Sequence, residues 1–149
     1  MKNEMTLHIK AISENEAFAR STVAAFCAQA NPILEDIIDI KTAVSEAVTN
    51  CVVHAYPDSV GDIKIHVTLK NNFVTIVITD FGIGICDPEK AREPFYTTKP
   101  DQERSGMGFT VMESFMDTLE VKNNNARGLT IKMSKKLTNS EQCKMVVND

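Results

Sequence analysis

Polar and apolar residues alternate from Thr6 to Ala11, placing Leu7, Ile9 and Ala11 on one side, so this stretch predicts a strand. Ser13, with Glu16 three residues on, has the form of a capping box. The helix it opens is predicted to run to about Ala30, with Phe18, Val23, Phe26, Cys27 and Ala30 as its inner stripe and Pro32 after its end. From about Glu35 to Ala55 the apolar residues Ile37, Ile40, Val44, Ala47, Val48, Cys51, Val52 and Ala55 recur at three- and four-residue spacing, the mark of a second amphipathic helix. Strict alternation returns in Ile63–Leu69 and Phe73–Thr79, joined by Asn71-Asn72, and predicts an antiparallel hairpin. Periodicity then lapses from Phe81 to Gly108, where Pro88, Pro94 and Pro100 interrupt a glycine-bearing, charged stretch. A loop of that length within a small domain is expected to be functional or disordered. A short helix, Phe109 to Phe115, and two strands, Leu119 to Lys122 and Leu129 to Met133, close the pattern.

The order β-α-α-β-β-loop-α-β-β predicts an α/β two-layer sandwich, with helices on one face of a mostly antiparallel mixed sheet. At 149 residues the chain is sized for one domain, expected over 1–136, with a polar, frayed tail over 137–149. A hydrophobic share of 43% against 24% charged residues fits a folded chain rather than a disordered one. The net charge of −4 argues against broad nucleic-acid binding, which needs a basic face. Cys27, Cys51, Cys86 and Cys143 form no metal-binding spacing, and Cys27 and Cys51 fall in apolar helical stretches as small buried hydrophobes. With no signal-peptide pattern and no apolar run of about 20 residues, a cytoplasmic protein without membrane association is expected.

Chemistry enters on the outer face of the second helix. Glu46 and Asn50 are four apart and share that face, and Thr42 and His54 extend the row. An asparagine carbonyl oxygen suits Mg²⁺, a hard cation that keeps several waters, and a carboxylate beside it can take a proton from an attacking hydroxyl. A solvated helix face would explain the pair equally well when it is taken alone. Asp80 ends an apolar strand and begins Asp80-Phe81-Gly82-Ile83-Gly84, where an acceptor could meet the exocyclic amine of adenine and Gly82 and Gly84 could let backbone approach a ligand. A plain strand-ending turn is the alternative. Ser105-Gly106-Met107-Gly108-Phe109 opens a helix, and backbone N–H groups there form an anion site, although a hinge would read the same way.

Order and spacing carry more than any one element. A helical Glu-x-x-x-Asn, then Asp-x-Gly-x-Gly after a hairpin, a long loop and a Gly-x-Gly helix start together resemble the ATP site of the GHKL superfamily. That resemblance implies a Bergerat-type fold, Asn50 as magnesium ligand, Glu46 as base and Asp80 as adenine acceptor. It places Gly82, Gly84, Thr98, Ser105, Gly106, Met107, Gly108 and Phe109 at ATP, with a lid over about 86–105. Ser45–Asn50 with His54-Ala55-Tyr56, Asn15–Arg20 and Glu103–Phe109 further resemble the family of sporulation anti-sigma factors that restrain sigma-F, from Met1 to about Lys136. That family implies a homodimeric protein-serine kinase using ATP and Mg²⁺, a sigma-factor partner, and an anti-anti-sigma protein as its phosphorylation substrate. The family's Gly-Thr-Thr in the late strand is here Gly128-Leu129-Thr130, so the matching hydroxyl is missing. Thr130 could stand in for it only through a strand slip, which would turn its side chain to the other face. Arg20, the one cation of the first helix, is a candidate contact for an acidic partner surface.

Other readings stay in view. General-stress anti-sigma kinases share most of these motifs. Glu93–Pro100 also resembles the lid of a histidine-kinase ATPase domain, but no His lies between Ile9 and Val53 to accept phosphate. Asp80-Phe81-Gly82 spells the metal triplet of eukaryotic protein kinases by coincidence, because the chain is too short for that fold. Gly106-Met107-Gly108 follows a loop rather than a strand, which excludes a dinucleotide fingerprint. A sequestering module that holds ATP only as a structural ligand is the non-enzymatic alternative.

Overall fold

A computed structural model of the chain describes residues 1–88, 92 and 108–141. Its strands are β1 (Lys2–Lys10), β2 (Asp62–Lys70), β3 (Phe73–Asp80), β4 (Thr118–Asn123) and β5 (Leu129–Lys136). The α-helices among the described residues are α1 (Glu14–Cys27), α2 (Leu34–Asn50) and α3 (Gly108–Phe115). The five strands form one sheet in the order β1-β2-β3-β5-β4, antiparallel at every pairing.

Period-two patterning sets the layers. Ile63, Ile65, Val67 and Leu69 on β2, Val74, Ile76 and Ile78 on β3, and Ile131 and Met133 on β5 are all buried. The residues between them are half-buried or exposed. Helices therefore cover one face of the sheet, and the buried faces of α1, α2 and α3 join the strands in one core. Each fully buried Ile or Leu in that layer contributes about 1.5–3 kcal/mol relative to an exposed position.

Several boundaries move from where periodicity puts them. Strand β1 starts at Lys2 rather than Thr6 because it pairs with β2 along its whole length, Lys2 opposite Lys70. Ser13 makes no side-chain cap: its backbone is already helical, and Glu16 turns away to pair with Arg20 at 2.7 Å. The capping box is thus replaced by an ion pair one turn along. Phe18 lies 52% exposed, so it leaves the inner stripe, where Ala19, Val23 and Cys27 sit instead. Residues 28–30 tighten into a 3₁₀ turn. Helix α2 ends as an α-helix at Asn50 and continues as a π-helical turn, Cys51–Ala55.

The described part of the expected frayed tail is docked. Leu137 is buried, its N–H donates to the Asn72 carbonyl at 2.6 Å, and the Thr138 N–H donates to Asp36 at 2.7 Å. Lys135 reaches Asp39 at 3.4 Å and the Phe115 carbonyl at 3.0 Å, tying β5 to the start of α2 and the end of α3. Residues 142–149 lie outside the described part.

Candidate functional site

Asp80 is the last residue of β3, on the side of the strand that carries Ile78 and Ile76, and so it faces the helices. It is 2% exposed. Its Oδ1 accepts hydrogen bonds from the Gly82 N–H at 3.0 Å and the Leu129 N–H at 3.1 Å. Burial pushes its carboxyl above the usual carboxylate value, and the bonds from Gly82, Leu129 and the Cys51 thiol pull it partly back. An ionised carboxylate offers about four acceptor positions, and the two backbone N–H bonds leave acceptor capacity free. The arrangement suits an amine on a flat heterocycle.

The loop after Asp80 is seated on the π-helical turn. The Ile83 N–H donates to the Ala55 carbonyl at 3.0 Å. Gly82 is required by this contact, because a Cβ there would lie 2.0 Å from the Ala55 oxygen. π-helical turns within α-helices occur often at functional sites. Here the turn brings the C-terminal end of the helix that carries Glu46 and Asn50 against the Asp80 loop. On the other side Gly128, at φ 98°, passes close enough that a Cβ would lie 2.1 Å from the Asp80 carbonyl oxygen.

Residues that periodicity does not single out hold this loop in place. Asn123 clasps Ile85 with both ends of its amide, accepting from the N–H at 2.9 Å and donating to the carbonyl at 2.5 Å. Asn124 donates to the Asp80 and Arg127 carbonyls, each at 3.2 Å. The Arg127 Nε donates to the Gly82 carbonyl at 2.9 Å. The Tyr56 hydroxyl accepts from the Phe81 N–H at 2.7 Å and donates to the Asp62 carbonyl at 2.6 Å. Burial raises the Tyr56 phenol above its ordinary value, so it keeps the proton it donates. The run Asn123-Asn124-Asn125-Ala126-Arg127-Gly128 reads in sequence as a turn, and its partners are too far along the chain to be foreseen.

Glu46 and Asn50 share the outer row of α2, each half-buried. The Thr42 hydroxyl, one turn before Glu46, bonds back to the Ile38 carbonyl at 2.9 Å and is thereby engaged by its own helix. His54 lies in the π-helical turn. Among the described residues no three His, Cys, Asp or Glu side chains group closely enough to hold a metal by themselves. A magnesium ion here would draw its remaining ligands from phosphates and water, as that ion commonly does, and the Asn50 carbonyl oxygen fits such a shared shell.

Gly108 is the first residue of α3 and Phe109 the second. The Phe109 ring is buried in the core, so what this pair can offer an anion is backbone N–H at a helix start. Gly84 lies in the Asp80 loop beside Asn123. The structure therefore brings Asp80, Gly82 and Gly84 together, next to the end of the Glu46–Asn50 helix. Thr130 is not brought to the Asp80 carboxylate. It pairs with Thr79 on the sheet face away from the helices, and its hydroxyl donates to the Asn124 side chain. Leu129, on the helix side and 2% exposed, gives Asp80 its N–H but no side-chain donor. Thr98, Ser105, Gly106, Met107 and most of the expected lid, 86–105, lie outside the described residues. Arg20 is paired with Glu16 through both carboxylate oxygens, at 2.7 and 2.8 Å.

The profile of the Histidine kinase-like ATPase domain family matches residues 9–135. An Anti-sigma F factor from Bacillus licheniformis is 51% identical over 142 residues, covering 95% of this chain and 97% of its own length. Those from Bacillus subtilis (strain 168) and Bacillus thuringiensis (strain Al Hakam) are 50% and 52% identical, each covered over 97% of its length. The chain belongs to the anti-sigma F factor family. Its core is a histidine kinase-like ATPase domain, and an ATPase domain binds ATP. Among the described residues no helix is long and apolar enough to cross a membrane.

Proposed function

We propose that the protein is a cytoplasmic, homodimeric anti-sigma factor of sporulation that binds sigma-F and, as an ATP- and Mg²⁺-dependent protein-serine kinase, phosphorylates its anti-anti-sigma antagonist on serine. The observation that carries the reading is the Asp80 carboxylate. It is buried, held by two backbone N–H groups, keeps acceptor capacity to spare, and abuts the end of the helix bearing Glu46 and Asn50. The relatives named Anti-sigma F factor support the sigma-F type over the general-stress type.

In this reading bound magnesium ATP supplies the phosphoryl group and the positive charge that offsets it. Asp80 accepts the amine of the base. Asn50 would give its carbonyl oxygen to the metal shell, and the backbone N–H groups of Gly108 and Phe109 at the start of α3 would serve phosphate, while Ser105, Gly106 and Met107, expected at ATP, lie outside the described residues. Glu46, one turn before Asn50, takes the proton of the antagonist's serine hydroxyl as it attacks. The chain then works mainly by positioning and charge compensation. The expected lid, about 86–105, would respond to the γ-phosphate.

The deciding experiment incubates the protein with labelled ATP, magnesium and the candidate antagonist and maps the labelled residue. Transfer to a single serine is expected. Tight sigma and ATP binding without any transfer would instead establish a sequestering module with ATP as a structural ligand. The lid reading predicts that ATP and ADP give different antagonist affinities by calorimetry, and equal affinities would remove it.

A further inference from the structure

We propose that the outer face of the sheet, beside the turn between β2 and β3, docks an acidic protein segment: Lys2, Lys70 and Lys136 meet its carboxylates, and a cavity over Phe73 takes an apolar side chain from it. This surface lies apart from the candidate nucleotide site. Phe73 and Asp80 stand at opposite ends of β3 and on opposite faces, on the order of 20 Å apart.

Strand register builds the row. Lys2 faces Lys70, Lys70 faces Phe73, and Phe73 faces Lys136, so four neighbouring strands bring these residues side by side. They fall on the side away from the helices, because their neighbours Leu69 and Val74 are buried in the core and Lys135 turns inward to Asp39. The lysines are exposed, and Phe73 is 45% exposed. Among the described residues none of the three ammonium groups is in an ion pair. Glu4 stands further along the same face, opposite Thr68, and the Asp117 carboxylate accepts the Lys136 backbone N–H at 2.7 Å. Like charges opposite one another weaken a sheet. The same face avoids this elsewhere: Lys10 faces Asp62 and pairs with it at 2.6 Å, and Lys132 faces Glu120. The cations around Phe73 therefore stand where the sheet gains nothing from them, and incoming carboxylates would offset their repulsion.

The row also has a frame and a depth. The Asn71 N–H donates to the Met1 carbonyl at 2.7 Å and the Leu137 N–H to the Asn72 carbonyl at 2.6 Å, so the turn is clamped on both sides. A cavity of about 370 Å³ opens there, lined by Lys70, Asn71, Asn72, Phe73 and Lys136. Its surface is almost wholly apolar, as lysine stems beside an aromatic ring provide, with the ammonium groups left at the rim. Such a volume accepts a leucine-sized group. An apolar residue flanked by carboxylates matches both features at once. A nucleic-acid backbone would meet the lysines and leave the apolar cavity unfilled, and the chain's net charge of −4 repels a long polyanion beyond this patch.

The test titrates the full chain with fluorescein-labelled Glu-Asp-Glu-Leu-Glu-Asp-Glu and follows anisotropy. Saturable binding is expected at low salt, weakening severalfold as ionic strength rises from about 0.05 M to about 0.5 M. Lys70→Glu combined with Lys136→Glu should weaken binding by more than about tenfold, and the charge-reversed protein should now prefer Lys-Arg-Lys-Leu-Lys-Arg-Lys. Phe73→Ser, or serine in place of the peptide's leucine, should each weaken binding about tenfold, and the two losses should not add because they remove one contact. Thermal melting checks every variant, and the milder Lys136→Gln should still cost severalfold in affinity. Saturating magnesium ATP at matched ionic strength should leave the peptide affinity unchanged, and competition would overturn the location. Absence of saturable binding, or binding indifferent to the lysine and Phe73 changes, would overturn the proposal. Tighter binding of a single-stranded oligonucleotide of equal charge, insensitive to Phe73→Ser, would overturn it in favour of a polyanion site. Self-association that Lys70→Glu with Lys136→Glu abolishes in sedimentation, without peptide binding by the wild type, would overturn it by giving the face to a second copy.

Discussion

The two ends of the candidate nucleotide site are built in opposite ways. At the Asp80 end, one carboxylate and its loop are held by partners from the π-helical turn, from Tyr56 and from the turn 123–128. At the Glu46 end, two side chains stand one turn apart on one helix, each half-buried. In the proposed reading the first is a preorganised recognition surface, whose hydrogen bonds exist before any ligand arrives. The second is a display of chemical groups that acquires its full meaning only with a nucleotide and a hydroxyl beside it. If the proposed function holds, recognition and chemistry are separable, and each end can be broken without the other.

The largest expected effect is at the helical end. Glu46→Ala should lower phosphotransfer to the antagonist by on the order of a hundredfold or more, the usual worth of a positioned acid or base. ATP and sigma binding should persist, which rate and calorimetric measurements on the same preparation would show. Normal transfer in this variant would remove Glu46 as the base. At the other end, Gly128→Ala should destabilise the fold by about 3 kcal/mol, read as a lowered denaturation midpoint. Its Cβ would meet the Asp80 carbonyl oxygen at 2.1 Å, and the backbone there is at φ 98°. The same change at a solvent-facing loop glycine would not do this.

Asp80→Asn sharpens the comparison through pH. The acid is held above its ordinary value of 3.8 chiefly by burial, so it protonates earlier than an exposed carboxylate as pH falls. Protonated Asp80 has lost an acceptor, so ATP affinity should decline on acidification while the pH is still above 3.8. Asp80→Asn should bind about tenfold less ATP at neutral pH, with that pH dependence gone. Fold stability carries the opposite sign: a raised native value favours the protonated form in the fold. The stability contributed by this group is therefore full below 3.8 and falls as pH rises to the native value. An ATP affinity that stays flat down to pH 3.8 would contradict the role assigned to Asp80. The smallest effect on the fold is expected from Arg20→Glu. It breaks a half-buried i,i+4 pair on a helix, worth about 0.3–0.5 kcal/mol, so melting should barely move. Partner affinity should drop severalfold, and an unchanged value would remove Arg20 from the partner surface.

The same contrast explains what could be read early. The Glu46–Asn50 row, the β2–β3 hairpin and the core stripe of α2 are local, periodic features, and spacing alone placed them. The misread positions share another property. Ser13 leaves its cap unused while Glu16 pairs with Arg20, and Leu137 docks against Asn72, remote in sequence. The Asp80 clamp is the extreme case: Asn124 and Arg127 meet Asp80 and Gly82 more than forty positions away.

By itself the sequence determined the layer order, through its change from period two to period 3.6, and the chemical groups of the site, through Glu46, Asn50, Asp80 and the glycines around them. Only the tertiary structure decided how Asp80 is used. Its ionisation, its donors and its remaining acceptor capacity depend on burial and on backbone N–H groups contributed by β5 and the loop. Periodicity reports which side of its own element a residue faces. It carries no information about which distant carbonyl, amide or thiol waits on that side, because those contacts arise from chain closure and packing.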